Sequence, residues 1–592
     1  MEALIIAVAG LLVVAAATAF APKLRVAAPL ILVVVGIAIS LLPFVPDVHV
    51  EGEWILAGIL PPLLYSASVS MPAMNFRREF NAIGGLSVVL VVLSSVVLGL
   101  FFAWIIPGLG IWWGIALGAI VSPTDAVATS IVKRVGISGR VVSVLEGESL
   151  LNDATALVLL RSAIAGTAAT ISFWGVLGNF AYSVAVAGVL GFAIGHLNLW
   201  VRSKVTDATV NTVISFTVPF LASIPAELLG ASGLVAAVVA GLVTGHGAAR
   251  RLSPQHRLSD SQNWRVVELV LEGAIFLLMG LELSAIVTDV QYRNDGVGPA
   301  VVVAFGALIL TLVVRAAYIA PLLAGLRRRA RRSAQFKPRL DVMQQRLDGT
   351  LALPEAGSAA ADERQVELAR RAALANRPAP ANRPAPNPEQ IERVKTRTRR
   401  AIADIDYLLA APLGWREGGV LVWAGMRGAV TLAAAQTLPL TGTPDRSFLI
   451  LVAFMVAAFS LLIQGGTLAW FVRWIKPAGP DVEAEKQERR RVLELLTTIE
   501  NTIRDAHPVP LEEQTEVQTD TAADAAQDPE QPPAQRFADM KRVTIEIIEA
   551  QRTALLDARD DGTFDADILN NALDNLDADQ ISIELKGQPL GQ

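Results

Sequence analysis

The sequence predicts an all-α polytopic membrane protein of about thirteen spanning helices, and three observations lead there. The first is composition. Of 592 residues, 53% are hydrophobic and only 18% charged, and the mean hydropathy is +0.48, a balance outside that of ordinary soluble domains. The second is a succession of apolar runs near 3–21, 26–43, 54–70, 82–106, 111–132, 141–166, 173–201, 209–222, 228–248, 266–288, 299–325, 417–438 and 447–474. The third is the charge of the connections. Lys23/Arg25, Arg77/Arg78, Lys133/Arg134/Arg140, Arg202/Lys204, Arg250/Arg251/Arg257, Arg327 to Arg332 and Arg473/Lys476 fall on every second one. The others hold Asp47, Glu51, Glu53, Glu227, Asp289, Asp295 and Asp445, with Arg293 and Arg446 as the basic exceptions. Basic loops stay cytoplasmic, so the alternation predicts a plasma-membrane protein with its N-terminus outside and its C-terminus inside.

Composition also excludes several functions. A net charge of −5 argues against a nucleic-acid partner, and the absence of cysteine excludes disulfides, thiolate metal sites and lipidated cysteines. The opening Met1-Glu2-Ala3-Leu4 has no basic n-region, so Leu4 to Phe20 is read as a first spanning helix that stays in the protein. Two cytoplasmic regions interrupt the membrane pattern. The first, 327–412, opens on Arg327 to Arg332, a topology anchor and lipid-headgroup contact, and repeats Asn-Arg-Pro-Ala-Pro between Asn376 and Pro386 as an extended linker. The second, 480–592, has helical candidates at Val482–Ala506 and Phe537–Asp557 around a Pro/Glu/Gln/Thr-rich stretch read as disordered. Its Asp557-Ala-Arg-Asp-Asp-Gly562 is no calcium loop, because Arg559 and Ile568 stand where ligands belong.

Within the membrane the polar residues are few. In the fifth segment Ser122-Pro123-Thr124-Asp125 sets an acid beside a proline, which removes a backbone donor and breaks the helix; such backbone is tolerated only where it is buried in protein or lines a cavity. The sixth segment carries Glu148-Ser149-Leu150-Leu151-Asn152-Asp153. Ser149 and Asp153, four apart, share one helix face, and Glu148 and Asn152 share the next. Asp153 lies close to the bilayer midplane, where an acid costs roughly 2.5–3.5 kcal/mol and so marks a functional site. One face is therefore expected to offer oxygens to a cation and the other to be tied to a partner. The twelfth segment offers one in Gly425-Met426-Arg427-Gly428, and the reading pairs Arg427 with Glu148, leaving Asp153 and Asp125 for an ion. Arg161, Glu272, Glu282 and Arg315 are read mainly as structural pairs, with Glu272 nearest the ion pathway.

Ser122-Pro-Thr-Asp125, Gly147-Glu-Ser-Leu-Leu-Asn-Asp153 and Gly425-Met-Arg-Gly-Ala-Val430, in this order over about thirteen spans, resemble the sodium/proton antiporters of the first monovalent cation:proton antiporter family, bacterial branch. The resemblance covers 1–475. It implies an inverted-repeat fold and a homodimer, with dimerisation helices about 1–70 and 173–288, core helices about 82–166, 299–325 and 417–474, and broken segments 5 and 12 crossing beside the ion. It implies Asp153 as the principal carboxylate for Na+ and H+, with Asp125, Ser149 and Thr124 assisting and Asn152, Glu148 and Arg427 supporting the site. One position departs: many bacterial members carry an acid on the third segment where this chain has Ser66.

The expected function is exchange of sodium, or lithium or potassium, for protons by alternating access, contributing to pH homeostasis with no cofactor. Burial disfavours a bare carboxylate, so proton and cation exclude each other on Asp153. Electrogenic relatives carry Asp-Asp where this chain has Asn152-Asp153, so the amide implies one cation for one proton. A monovalent cation channel is the alternative, but no second Ser-Pro-Thr-Asp element is present to repeat a filter. An intramembrane enzyme is disfavoured because no His-Glu-x-x-His or Gly-x-Ser-x-Gly pattern occurs.

Overall fold

The structure, a computed structural model, describes residues 2–24, 26–42, 52–168, 173–292, 296–348, 388–479, 481–507 and 533–585. Every regular element among them is helical. In chain order these are α1 (Glu2–Leu24), α2 (Ala28–Ser40), α3 (Leu60–Ser70, reached through Gly52–Trp54 and a π-helical stretch Ile55–Ile59), α4 (Ala73–Ile105), α5 (Ile111–Val121), α6 (Val127–Val135), α7 (Gly139–Ala168), α8 (Phe173–Arg202), α9 (Ala208–Leu228), α10 (Gly233–Arg251), α11 (Pro254–Tyr292), α12 (Val297–Leu347), α13 (Pro388–Ala410), α14 (Trp415–Trp423), α15 (Ala429–Gln436), α16 (Arg446–Ile475), α17 (Val482–Ala506), α18 (Pro533–Asp561) and α19 (Ala566–Leu585). Helix falls on every predicted apolar segment, and eight helices among the described residues are by themselves long and apolar enough to cross a membrane. The linker repeat, the Pro/Glu/Gln/Thr-rich stretch and the loop residues Arg25, Asp47, Glu51, Arg293 and Asp295 lie outside the described residues.

Several boundaries differ from those read off hydropathy. α4 starts at Ala73, α11 at Pro254, and α12 runs on to Leu347 through the whole arginine run. Hydropathy marks where lipid begins, whereas helix continues until a breaker stops it, and Arg, Ala and Leu are good helix formers. α19 was not predicted; its apolar Ile568, Leu569, Leu573 and Leu576 at helical spacing are buried and could have signalled it.

The chain divides into two compact units. One comprises Met1–Ala324, Leu413–Glu485 and Asp577–Gln592. In it α2 lies along α11, α8 along α10, α4 along α5 and α3 along α10. The α2–α11 crossing is tight because both contact positions are glycine: a Cβ on Gly280 would sit 2.4 Å from the Val33 carbonyl oxygen. α11 also touches α15 and α16, so it borders both the helices near its own end of the sequence and the broken twelfth segment. Two arginines counted as loop charges are buried and tie helices together: Arg140 with Glu79, and Arg202 with Asn211 Oδ1 at 2.7 Å and Asp260 Oδ2 at 2.6 Å. The other unit comprises Gly325–Pro412 and Lys486–Leu576. Val492, Val543, Ile547, Ile548, Leu555, Leu556 and Leu569 form its apolar interior, and Glu488 Oε1 accepts the Asp565 amide.

Candidate functional site

The site is built on two interrupted helices. α5 ends at Val121, Pro123 cannot donate to the preceding turn, and the chain stays outside regular helix until α6 begins at Val127. α14 ends at Trp423 and α15 begins at Ala429, leaving Gly425 to Gly428 outside any helix. The two breaks meet: the Asp125 amide donates to the Met426 carbonyl at 2.7 Å. Helix breaks leave amides at the new N-termini and carbonyls at the new C-termini. The Asp125 carboxylate takes the former, Oδ1 accepting from Val127 N at 2.9 Å and Oδ2 from Ala429 N at 3.2 Å, so it caps α6 and α15 together. Only glycine at 428 permits this, because a Cβ there would fall 1.4 Å from Asp125 Oδ2.

Arg427 does the reverse. Its Nε donates to the Val121 carbonyl at 3.0 Å and its Nη1 to the Gly425 carbonyl, so the guanidinium neutralises the carbonyl ends of α5 and α14. Its own amide donates to Ser460 Oγ at 2.9 Å. The expected Glu148–Arg427 pair is therefore corrected. Glu148 is paired with Arg315 of α12 through Nη1 and, at 2.8 Å, Nη2, and both side chains are 2% exposed. Arg315 Nε donates to the Leu421 carbonyl at 2.8 Å. Arg315 and Arg427 are both deep arginines on different segments, and hydropathy could not choose between them.

The remaining members of the sixth segment divide by face. Thr124 Oγ1 donates to Glu148 Oε1 at 3.2 Å, and Asn152 Nδ2 donates to the Thr124 hydroxyl and, at 3.3 Å, to its carbonyl. Thr124, Asn152 and Glu148 are thus linked in one network, in which the Asn152 Oδ1 is left without a partner among the described residues. On the neighbouring face Ser149 is half-buried and makes no hydrogen bond among the described residues, and Asp153, 5% exposed, has a buried Oδ1 with no partner among them. Asp125 lies within electrostatic reach of Asp153, and Glu272 of α11 within reach of Asp125. Burying a carboxylate oxygen without a donor is costly, so this arrangement holds a strong attraction for a small cation or a proton.

Of the other intramembrane charges, Arg161 pairs with Glu227 at 2.6 Å and Glu282 accepts from Gln436 Nε2 at 3.0 Å. The sequence reading missed Glu268, which lies near the Ser66 hydroxyl and within electrostatic reach of Glu272. Its spacing of four from Glu272 on one apolar segment was the available signal.

The family pattern described as "Sodium/hydrogen exchanger, transmembrane" matches residues 8–338 and 400–474. An uncharacterized Na(+)/H(+) exchanger of Mycobacterium tuberculosis is 25% identical over 98% of this chain and 96% of its own. A second, YjcE of Escherichia coli, is 35% identical over 44% of this chain and 49% of its own. The solved structure of the sodium proton antiporter MjNhaP1 from Methanocaldococcus jannaschii superposes with a TM-score of 0.53 at 16% identity, over 80% of this chain and 99% of that one, which is a likeness of fold. The chain is a multi-pass membrane protein that belongs to the sodium/hydrogen exchanger family.

Proposed function

We propose that this protein exchanges one sodium ion, or lithium or potassium, for one proton across the plasma membrane by alternating access, as a homodimer with its N-terminus outside and its C-terminus in the cytoplasm. The observation that carries the reading is the buried Oδ1 of Asp153, without a partner among the described residues, on α7 beside the place where two broken helices meet. A hard oxygen set of Asp153, Asp125 and the free Ser149 hydroxyl suits a small monovalent cation. Asp125 keeps lone pairs beyond those its two amides use, since an ionised carboxylate accepts about four hydrogen bonds. Thr124, engaged by Asn152 and Glu148, holds the helix break in position and adds at most one further oxygen.

Antiport follows from competition. A bare Asp153 is disfavoured by its surroundings, so it carries either a proton or a cation, and both do not fit at once. If the helices bearing the site (α4 to α7, the membrane part of α12, and α14 to α16) change access only in a neutralised state, inward proton flow drives outward cation flow. Glu148 stays neutralised by Arg315 throughout and Asn152 does not titrate, so one charge moves each way.

The test uses purified protein in liposomes with an imposed pH gradient, challenged with sodium, lithium, potassium and an organic cation in turn. Saturable proton movement with one or more alkali ions and none with the organic cation is expected; conductive flux without proton coupling would identify a channel instead. Potassium–valinomycin clamps at zero and about 100 mV, worth about 2.3 kcal/mol per net charge, should leave the initial sodium rate within twofold. A several-fold change would overturn the one-to-one ratio.

A further inference from the structure

On the topology proposed above, α7 and α9 run outwards and α8 and α10 start outside, so the end of α7, the start of α8 and the α9–α10 turn share the outer side. Between them is a cavity of about 310 Å³, lined by Leu157, Val158, Arg161 and Ser162 of α7 on one side and by Ser183 of α8 and Glu227 of α9 on the other. Ser183 is 7% exposed, and its hydroxyl makes no hydrogen bond among the described residues. A cavity with an ion pair and an uncommitted hydroxyl in its wall admits water.

The cavity leads towards the exchange site. Asp153, Leu157 and Arg161 follow one another at intervals of four on one side of α7, about 6 Å apart along its axis. Leu157, 6% exposed, therefore stands between the cavity and the carboxylate whose Oδ1 lacks a partner. Arg161 Nη1 reaches across and donates to Glu227 Oε2 at 2.6 Å. Glu227 is fixed from its own side: its Oε1 accepts from Gly233 N at 3.0 Å, and the Tyr182 hydroxyl holds the turn behind it by donating to the Leu229 carbonyl at 3.1 Å. The Arg161 side chain makes no other hydrogen bond among the described residues, so it is the half of the pair that can leave. Two more ties join site-bearing helices to α11 on the same outer side. Gln436 Nε2 of α15 donates to Glu282 Oε2 at 3.0 Å, and the Ser447 hydroxyl of α16 donates to Asp289 Oδ2.

We propose that this cavity is the outer vestibule of the exchange site and that Arg161 and Glu227 are its gate residues, with Leu157 the plug that moves aside before an ion from outside reaches Asp153. The proposal rests on the antiport reading and deepens it by naming the groups that hold this conformation closed to the outside. Arg161 and Glu227 are positioning residues, and a part-exposed ion pair biases a conformational equilibrium by a small factor without locking it.

The chain has no cysteine, so one introduced thiol reports alone. Val158→Cys, at a position 7% exposed in the cavity wall, is treated with a membrane-impermeant maleimide added outside intact cells. It should react slowly in an otherwise wild-type chain and about two- to fivefold faster once Arg161→Gln or Glu227→Gln is added. Glu227→Gln keeps an oxygen for the Gly233 amide, so the turn is preserved. The double neutral variant should react no faster than either single one, because either change breaks the same bond. The sodium KM should fall from outside in right-side-out vesicles and rise from the cytoplasmic face in everted ones, by about the same factor, which loosening of the outer end without a change of state would not produce. Labelling unchanged by both single variants, rates that multiply in the double variant, or KM values moving the same way on both faces would overturn the gate. Labelling of Val158→Cys from the cytoplasmic face alone would overturn the vestibule. If Val158→Cys does not reach the membrane, Ser162→Cys, half-buried in the same wall, takes its place under the same criteria. Wild type that exchanges no cation overturns the antiport reading, and the labelling rates still decide the gate; exchange present with labelling indifferent to Arg161 and Glu227 overturns the gate alone.

Discussion

Glu148 and Asp153 stand five residues apart on α7, both buried and both acidic, yet their surroundings are opposite. Glu148 has a bidentate arginine, a threonine hydroxyl on its carboxylate and a serine hydroxyl on its carbonyl. Asp153 has an oxygen with no donor at all among the described residues. A buried charge with a full set of partners is architecture, because every state of the protein keeps it neutralised. A buried charge without them has to find its partner in solution, and that makes it a site. The same contrast separates Arg427, committed to two carbonyl ends, from Glu272, committed to nothing described.

The largest expected effect breaks the contrast at its open end. Asp153→Asn keeps the shape and removes both the titrating group and the charge, so exchange in liposomes should fall more than a hundredfold. The thermal midpoint should hold or rise, since an unpartnered buried carboxylate is lost. Exchange retained at near wild-type rate would mean that the two acids are not divided as described.

At the closed end, Glu148→Gln or Arg315→Met should each destabilise the protein by roughly 3–5 kcal/mol by leaving a buried charge unpaired. The double mutant should recover part of that loss, whereas Glu148→Gln combined with Arg427→Met should be closer to additive. A denaturation cycle in detergent separates the two pairings. Coupling to Arg427 larger than to Arg315 would contradict the geometry.

A third change tests how the break is held. Gly428→Ala places a methyl group where Asp125 Oδ2 lies, so the carboxylate must leave the α15 N-terminus. Loss of that cap should cost about 1–2 kcal/mol in stability and reduce sodium affinity together, because the same carboxylate does both tasks. Affinity lost at unchanged stability would show that Asp125 is a ligand and not a cap.

The smallest expected effect is that of Ser149→Ala, which removes one uncommitted hydroxyl from the open face. The sodium KM should rise about threefold with the maximal rate kept, the pattern of a lost ligand in the ground state. The same substitution at Thr124, whose hydroxyl is engaged on both sides, should instead lower thermal stability.

What could be read without a structure was whatever depends on neighbours in sequence. Apolar runs and the sidedness of arginines located the helices, Pro123 located a break, and the period of 3.6 put Ser149 with Asp153 and Glu148 with Asn152 on adjacent faces. These are properties of a single helix in lipid, where backbone hydrogen bonds must close locally. What only the tertiary structure decided is which distant group meets which. Arg315, not Arg427, reaches Glu148 across 167 residues; Asp125 caps the Ala429 amide, 304 residues away; and the arginine run continues α12 as helix. Two arginines at similar depth in the membrane are equivalent to hydropathy. The choice between them is made by which helix faces touch, and close approaches such as Gly36 on Gly280 set those faces through packing that no single segment encodes.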